Sequence, residues 1–269
     1  MKVQNKTIVV TGGGNGMGRE IVLHLLTKEC KVIAVDINEV ALQETMHLAG
    51  DKKHLLNTEI TDITNKTAVE ELLQKILSAH GFVDGLINNA GIVQPFKKIN
   101  DLSLDSIERV FNVNFQGTLL MTKQFLPHLL LRPEAHIINV SSMGGFLPVA
   151  GQAIYGASKA AVKIMSESLA VELVNTDVKV TTVFPGAILT NIKANSGLGK
   201  EAGINASDVP KDTNLALSPT VAAQIIINAM ERNKTRVFVG KDSKTMNLLY
   251  RLKPNFATKM IYKKIAHKF

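Results

Sequence analysis

Apolar runs of strand length alternate with helical segments along the first 240 residues, and this alternation constrains the fold more than any other feature of the chain. Parallel strands need a long crossover between them, usually a helix, whereas antiparallel strands can be joined by tight turns. Strand alternating with helix therefore predicts a parallel sheet with right-handed crossovers. The predicted class is α/β, with a doubly wound, mostly parallel sheet of seven strands and helices on both faces.

One long segment does not fit this alternation. Residues 188–218 are rich in Asn, Gly, Ser, Lys and Asp and show little periodicity, which is unusual for a connection inside a compact domain. Because the segment follows a predicted strand directly, we expect a substrate loop that covers a site. The predicted strands are residues 7–11, 31–36, 54–60, 137–141, 178–184 and 236–239 and one that begins at Asp84, and the predicted helices are residues 17–29, 40–48, 66–78, 103–131 and 153–173.

Composition suits one domain with a sizeable core. The chain has 269 residues, of which 45% are hydrophobic and 20% charged. The single cysteine, Cys30, excludes an internal disulfide and favours a reducing compartment. The sequence shows no signal-peptide series and no apolar run near the ~18 residues that a membrane span needs. We therefore expect a cytoplasmic protein with a single domain over residues 1–240.

The formal charge of +8 is concentrated near the carboxyl end. Residues 231–269 contain eleven Lys and Arg against two acids, so residues 1–230 have a net charge of −1. The basicity therefore belongs to the tail and not to the fold. No zinc-finger spacing, aromatic-basic pattern or helix-turn-helix pattern accompanies it, so we expect neither nucleic acid nor a metal ion as a partner.

Tyr155 and Lys159 lie one turn apart on the same face of a predicted helix. A free phenol titrates near ~10, so acid/base work near neutrality requires a pKa lowered by roughly two to three units, which a neighbouring ammonium can supply. Ser142 follows a predicted strand, where open α/β sheets bind ligands. The Tyr-x-x-x-Lys pattern alone is weak, because any exposed helix can contain it.

A glycine-rich turn joins the first predicted strand to the first helix. Gly12, Gly16 and Gly18 let the backbone approach a phosphate, and the helix amino terminus offers unpaired N–H groups to it. The common Gly-x-Gly-x-x-Gly fingerprint is not matched, and a glycine run can also be a flexible turn. Asp36 ends the second strand, where a carboxylate can accept both hydroxyls of an adenosine ribose and would repel a 2′-phosphate. NAD is therefore favoured over NADP, with a solvated strand-end aspartate as the alternative interpretation.

In their order and spacing, these residues resemble the short-chain dehydrogenases/reductases. The resemblance extends over residues 6–240 and implies a Rossmann-like fold, a nicotinamide cofactor and a small-molecule alcohol or ketone substrate. The matching residues are Thr11-Gly12-x-x-x-Gly16-x-Gly18, Asn88-Asn89-Ala90-Gly91, Asn114, Ser142, Tyr155-x-x-x-Lys159 and Pro185-Gly186-x-x-x-Thr190.

The resemblance implies cofactor roles for the residues of the first half. The three motif glycines would form the pyrophosphate turn, Asp36 would hold the adenosine ribose, and Asp62 would contact adenine. Asn15 stands where NADP-preferring relatives are often basic, which agrees with NAD, although Arg19 leaves dual use open. The expected cofactor contacts are Gly12, Asn15, Gly16, Met17, Gly18, Asp36, Ile37, Asp62, Ile63, Asn89, Ala90, Gly91, Tyr155, Lys159, Pro185, Gly186, Ile188 and Thr190, with Asn88 shaping the crevice.

The resemblance also implies four catalytic residues. Tyr155 would be the acid/base, and Lys159 would lower its pKa and hold the nicotinamide ribose. Ser142, which the family's offset from the tyrosine favours over Ser141, would stabilise negative charge on the substrate oxygen. Asn114 would hold a water that relays protons to the lysine, with capping of a helix kink as the alternative.

The substrate site is expected between residues 143–152, residues 94–96 and the loop at residues 188–218. The first two segments contain apolar side chains and no Lys or Arg, which favours a hydrophobic secondary alcohol or ketone, although ordinary loop packing explains the same side chains equally well. The expected substrate contacts are Ser142, Met143, Phe146, Gln152 and Tyr155.

Residues 241–269 depart from many family members, which end soon after the last strand. A basic, partly amphipathic helix is predicted here. It could contact an anionic membrane surface peripherally, cover a partner subunit or close over the substrate site. The side chains that fall near one helical face are Phe256, Met260, Ile261, Ile265 and Phe269.

The sequence thus predicts a short-chain NAD(P)-dependent alcohol dehydrogenase or ketoreductase that uses NAD and forms a homodimer or homotetramer. One alternative is an NADPH-dependent 3-oxoacyl reductase whose basic tail meets an acidic carrier protein. The other is a dinucleotide-binding regulatory protein without turnover, against which the intact set of catalytic residues argues. The substrate, its stereochemistry and the direction of the reaction do not follow from the sequence.

Overall fold

A computed structural model of the chain describes residues 1–190, 192, 196 and 216–265, with side chains described up to residue 263. A seven-stranded sheet in the order β3-β2-β1-β4-β5-β6-β7 forms its centre, and every neighbouring pair is parallel. The predicted α/β class with a doubly wound, Rossmann-like sheet is confirmed. The strands are β1 (Thr7–Thr11), β2 (Lys31–Asp36), β3 (Leu56–Ile60), β4 (Gly85–Asn88), β5 (Ala135–Val140), β6 (Val178–Pro185) and β7 (Arg236–Val239).

Helices cover both faces of this sheet. The helices are α1 (Gly16–Thr27), α2 (Glu39–Leu48), α3 (Lys66–His80), α4 (Leu104–Phe111), α5 (Thr118–Leu129), α6 (Ala153–Glu172), α7 (Pro219–Glu231), α8 (Lys241–Leu252) and α9 (Pro254–Ile265). Two buried clusters form the core, one on each face. Neighbouring strand residues alternate between them, so that Val10 and Ile87 belong to the cluster under α1 and α7, whereas Val9 and Leu86 belong to the cluster under α3 and α5.

The strand order reverses at β1, and this point determines where a ligand can bind. Ile8 of β1 is in register with Val32 of β2 on one side and with Gly85 of β4 on the other. Because the crossovers from β1 and from β4 leave in opposite directions, a crevice opens at the carboxyl ends of these two strands. The glycine turn after β1 and the segment after β4 therefore lie side by side.

The helix predicted over residues 103–131 and the strand predicted over residues 54–60 differ from the observed elements. The helix expected over residues 103–131 is divided by a π-helical turn, Asn112–Gly117, which adds an extra residue to the turn between α4 and α5. The third strand begins at Leu56 and not at residue 54, because Gly50–Leu55 forms a 3₁₀ helix. The apolar spacing does not reveal the π-helical turn, because one extra residue in a long helix changes that spacing only slightly.

The tail contains two helices where one was predicted. Lys253 separates α8 from α9, and Pro254 starts the second helix because proline lacks the N–H that a continuing helix needs. Met260 and Ile261 pack inward as expected, but Phe256 is exposed and Ala257 takes the buried position. The side chain of Ile265 and residue Phe269 lie outside the described residues, and a domain boundary at residue 240 stays a prediction.

Among the helices in the described part of the chain, none is both long enough and apolar enough to cross a membrane.

Candidate active site

The glycine turn after β1 is shaped by close backbone approach. Gly12 has a φ of 67°, in the left-handed region that favours glycine. A Cβ on Gly18 would overlap the carbonyl oxygen of Gly12, so the first turn of α1 can lie on the loop only because residue 18 has no side chain. The result is an open backbone cradle at a helix amino terminus, which suits a pyrophosphate.

Asp36 is held at the edge of this cradle. Its Oδ2 accepts the N–H of Gly14 at 3.0 Å, and its Oδ1 accepts the N–H of Asn38 at 3.1 Å. These bonds fix the carboxylate at the carboxyl end of β2, facing the cleft. Each carboxylate oxygen has a further lone pair, so the group can still accept hydroxyls of a ribose.

The guanidinium of Arg19 is bound by other groups of the protein. Its guanidinium donates to the carbonyl oxygen of Gly14 at 2.6 Å and 3.0 Å and pairs with Glu44 at 2.6 Å. The arginine therefore fastens the glycine turn to α2 through its Nε and Nη2 donors.

The end of β4 is fastened to the end of β1 by Thr11 and Asn89. The hydroxyl of Thr11 accepts the N–H groups of Asn89 and Ala90, both at 3.1 Å, and the Asn89 side chain donates to the carbonyl oxygen of Thr11 at 3.1 Å. These bonds hold the two sides of the crevice at a fixed separation. Asn88 points away from the crevice, because its amide donates to Thr122 and Asn139 inside the core.

At the far end of the cleft, Ser142 follows β5 and begins a 3₁₀ turn. Its hydroxyl accepts the N–H of Gly144 at 3.1 Å and is hydrogen-bonded to the phenol of Tyr155. Ser141, the competing serine, is buried and donates to the backbone oxygen of Lys159 at 2.7 Å. Ser142 is therefore the serine that faces Tyr155.

Tyr155 and Lys159 lie on one side of α6, as their spacing predicts. Burial raises the pKa of Tyr155, while its hydrogen bond with Ser142 opposes that rise. Burial lowers the pKa of Lys159 to about 8, and its ammonium donates to the carbonyl oxygen of Val140 at 2.9 Å. The expected lowering of the Tyr155 pKa by Lys159 is thus not found, because desolvation dominates both groups.

Asn114 lies in the π-helical turn and is fully buried. Its Oδ1 accepts the N–H of Ile92 at 2.8 Å, and its Nδ2 donates to the carbonyl oxygen of Ile92 and to the hydroxyl of Ser158. A Cβ on Gly91 would lie 3.0 Å from the ammonium of Lys159 and 3.1 Å from Oδ1 of Asn114. The missing side chain of Gly91 therefore leaves a small polar gap between the amide and the lysine.

One cleft with a volume of about 860 Å³ joins the two ends of the site. It contains the glycine turn and Asp36 at one end and Ser142, Tyr155 and Lys159 at the other. Every residue expected to contact a cofactor lines this cleft, and the glycine cradle and the carboxylate at the end of β2 fit a dinucleotide. The lining residues among those predictions are Gly12, Asn15, Gly16, Met17, Gly18, Asp36, Ile37, Asp62, Ile63, Asn89, Ala90, Gly91, Tyr155, Lys159, Pro185, Gly186, Ile188 and Thr190.

Three residues expected to contact substrate are engaged by the protein itself. The ring of Phe146 packs edge to face on Phe184 and Phe238, at centroid distances of 5.7 Å and 5.9 Å. Met143 packs on the same apolar cluster, and the amide of Gln152 donates to the backbone oxygens of Gln94 and Gly151. The cleft wall near Tyr155 is instead formed by Ile92, Val93 and Val140. Most of the substrate loop predicted at residues 188–218 lies outside the described residues.

Gln94 is a positioning residue that sequence analysis missed. It was expected in a substrate wall, but its side chain is buried and its Oε1 accepts the N–H groups of Ile154 and Tyr155 at 2.8 Å and 2.9 Å. The first turn of a helix has unpaired N–H groups, and here a glutamine distant in sequence satisfies two of them. No local capping pattern reveals such a partner.

Asp242, in the first turn of α8, is the second missed residue. Its Oδ2 accepts the N–H of Ala187 at 2.7 Å, and a Cβ on Gly186 would overlap its carboxylate. The neighbouring hydroxyl of Ser243 donates to the carbonyl oxygen of Phe184 at 2.8 Å. The start of the tail therefore holds the segment after β6, which lines the cleft. The Gly186 position, with no side chain, is the only sequence signal for this contact.

Comparison with known proteins agrees with this geometry. A profile of the family described as short chain dehydrogenase matches residues 6–201. SadH of Mycobacterium tuberculosis, named provisionally as an oxidoreductase, is 33% identical over 252 residues, which cover 93% of this chain and 91% of SadH.

Two solved structures share the fold. A short chain dehydrogenase/reductase from Burkholderia phymatum in complex with NAD has a TM-score of 0.80 at 27% identity and covers 88% of this chain and 90% of its own. ElxO with NADP bound has a TM-score of 0.78 at 23% identity, with coverages of 88% and 97%. Relatives with this architecture therefore include one with each nicotinamide cofactor.

Proposed function

The chain belongs to the short-chain dehydrogenases, a family of oxidoreductases, and on this premise we propose that it uses NAD(H) to interconvert an apolar secondary alcohol and its ketone. One observation carries the proposal: the hydrogen-bonded pair of Ser142 and Tyr155, with Lys159 beside it, opens into the cleft that begins at the glycine turn and Asp36. A proton-transfer group and a dinucleotide cradle in one cleft suit hydride transfer.

The preference for NAD rests on the ribose end of the cleft. The carboxylate of Asp36 offers acceptors to two hydroxyls and repels a phosphate. The guanidinium of Arg19, at the glycine turn, is already bound to Gly14 and Glu44, which opposes its use as a partner for a 2′-phosphate.

The chemical step needs a base for alcohol oxidation and an acid for ketone reduction. A bound nicotinamide supplies the hydride acceptor or donor. Tyr155 takes the proton from the substrate hydroxyl during oxidation and returns it during reduction. The hydroxyl of Ser142 donates to the substrate oxygen and stabilises the negative charge that develops there.

Lys159 completes the proton path. Its ammonium favours the phenolate form of Tyr155, and the positive charge of an oxidised nicotinamide ring bound in the cleft would act in the same direction. On the other side, Lys159 and Asn114 Oδ1 both lie close to Gly91, and a water held between them would use the second lone pair of that oxygen. Such a water would return protons from solvent, so the π-helical turn positions a relay and not only a kink.

The apolar substrate class is supported by the wall beside Tyr155. Ile92, Val93 and Val140 provide it, and the only described cation at this end of the cleft other than the rim residue Arg109 is Lys159, which the mechanism uses. The chain would act as a homo-oligomer, since Ile164 and Val171 are exposed seven residues apart on one side of α6 and offer an apolar contact.

The experiment is absorbance of the reduced nicotinamide band with NAD and with NADP against alcohols from small diols to steroids. We expect NAD reduction with bulky apolar secondary alcohols. NADPH-dependent reduction of 3-oxoacyl thioesters would instead indicate the 3-oxoacyl reductase. NAD binding without turnover on any substrate would indicate the regulatory protein.

A further inference from the structure

The two tail helices each have an inward side that packs on the rest of the chain. Met246 of α8 and Ala257 of α9 are buried in one cluster with Leu147, and Leu249, Met260 and Ile261 pack around it. Through Leu147, this contact involves the segment that follows Ser142. The inward sides of both helices are therefore already occupied, so any external partner must meet their opposite sides.

The opposite sides contain apolar side chains that are largely exposed. Leu248 and Leu252, one turn apart on α8, are 60% and 71% exposed, and Phe256 and Tyr262 of α9 are 58% and 55% exposed. Four large exposed apolar residues within fifteen positions form a concentrated patch and not the scattered exposure that is normal for a protein surface.

Exposed cations share this side with the apolar residues. In the described part of the tail none of these cations has a carboxylate within ion-pair distance, and the single acid of the tail, Asp242, is turned inward against Ala187. We call this surface the outer face of the tail. It consists of Leu248, Leu252, Phe256 and Tyr262 with Lys241, Lys244, Arg251, Lys253, Lys259 and Lys263.

We propose that the outer face binds the surface of an anionic lipid bilayer, with its leucines and aromatic rings at the headgroup boundary and its cations on the lipid phosphates. Apolar anchors flanked by unpaired cations are the two attractions that hold a helix in that plane. The proposal does not depend on the proposed function.

A second copy of the chain fits this face less well. Two outer faces in contact would bring like charges together. The rest of the chain offers no acidic excess, because residues 1–240 contain 23 basic and 22 acidic residues. Charge complementarity therefore selects an anionic surface from outside the protein.

The test is co-sedimentation of the full chain, without nucleotide or substrate, with phosphatidylcholine vesicles that contain or lack phosphatidylglycerol. Binding should require phosphatidylglycerol and weaken with salt. The variant Lys244→Gln/Lys259→Gln/Lys263→Gln should bind about fivefold more weakly for each lysine, on the order of a hundredfold in total at low salt. The variant Leu248→Ser/Leu252→Ser should also lose binding, because it removes the apolar anchors of α8.

Matched controls make the test specific. Lys31→Gln/Lys53→Gln/Lys66→Gln changes the net charge equally at exposed positions elsewhere, and Leu130→Ser/Leu131→Ser removes an exposed apolar pair beyond α5. Both should bind as the wild type does. Equal binding to both kinds of vesicle, or equal losses in the controls, would overturn the proposal. So would a fall in oligomer mass on light scattering in the outer-face variants without loss of vesicle binding, since that result would make the face a subunit contact.

Discussion

Different kinds of chemical group hold the two ends of the cleft in place. At the ribose end, backbone groups set the geometry: Gly12 adopts a positive φ, and the N–H groups of Gly14 and Asn38 hold Asp36. At the catalytic end, buried side chains position one another, and the tail supports the loop after β6. The first end is therefore stiff and local, whereas the second depends on desolvated charges and on contacts between distant segments.

Tyr155→Phe should have the largest effect and separate the two ends. It removes the acid/base, so kcat should fall about 10²- to 10⁴-fold. NAD affinity should change little, because the ribose end does not use the phenol. Stopped-flow turnover and NAD titration measure the two quantities, and retained activity would remove Tyr155 from the proposed role.

Lys159→Met tests how much the buried ammonium at the catalytic end destabilises the folded chain. Burial lowers the Lys159 pKa to about 8 in the folded chain, below its unfolded value of about 10.4. Below pH 8 the buried ammonium therefore lowers the free energy of unfolding, and this destabilisation decreases as the pH rises from 8 towards 10.4. Between pH 8 and 10 the free energy of unfolding of the wild type should therefore rise by about 2 kcal/mol relative to Lys159→Met.

Urea unfolding at several pH values measures this difference. The measurement stays below pH 10, because the raised pKa of Tyr155 makes that group destabilising at higher pH. The control Lys163→Met removes the next lysine on α6, whose ammonium pairs with Glu167 at 3.2 Å, and it should keep the pH dependence of the wild type. If the free energy of unfolding of Lys159→Met changed with pH as that of the wild type does, burial of the Lys159 ammonium would not be its cause.

Asp36→Ala probes the ribose end alone. Loss of a charged hydrogen-bond partner should weaken NAD binding by about 1.5–3 kcal/mol and narrow the preference over NADP, while kcat with saturating NAD stays close to that of the wild type. The ratio of kcat/KM for the two cofactors measures the effect. An unchanged ratio would show that the carboxylate does not select the cofactor.

Asp242→Ala should have the smallest effect, because the residue does not line the cleft and reaches it only through Gly186 and Ala187. Loss of one hydrogen bond should raise the KM for NAD about fivefold, corresponding to about 1 kcal/mol. Asp242→Asn keeps an acceptor oxygen and should restore the KM, while Lys241→Ala, at the exposed neighbour, should leave it unchanged. If the Asn variant behaves as the Ala variant does, the bond to Ala187 is not the cause.

The contrast between the ends also explains what the sequence could predict. The ribose end comes from residues 11–38, so the glycines and the acid are readable as one contiguous pattern. The order of Ser142, Tyr155 and Lys159 is equally readable, because strand end and helix spacing place them. The direction of the pKa shift of Tyr155 is not readable from the sequence, since desolvation depends on what surrounds the phenol in three dimensions.

The substrate side shows the same limit. Phe146 belongs to an apolar segment, and sequence cannot tell whether its ring faces a ligand or packs on Phe184 and Phe238. Gln94 and Asp242 act over separations of about 60 and 55 residues from their partners, and the sequence signals neither partner beyond the glycine at position 186.

The contact between Gln94 and α6 has a consequence for measurement. Amides in the first turn of a helix usually exchange rapidly with deuterated water, since water is their only partner. Here the amides of Ile154 and Tyr155 can exchange only when the Gln94 side chain departs. The rate of deuterium uptake at the Tyr155 amide therefore measures how often residues 92–96 move away from α6. The same rate reports, at the catalytic residue itself, how often the substrate side of the cleft opens.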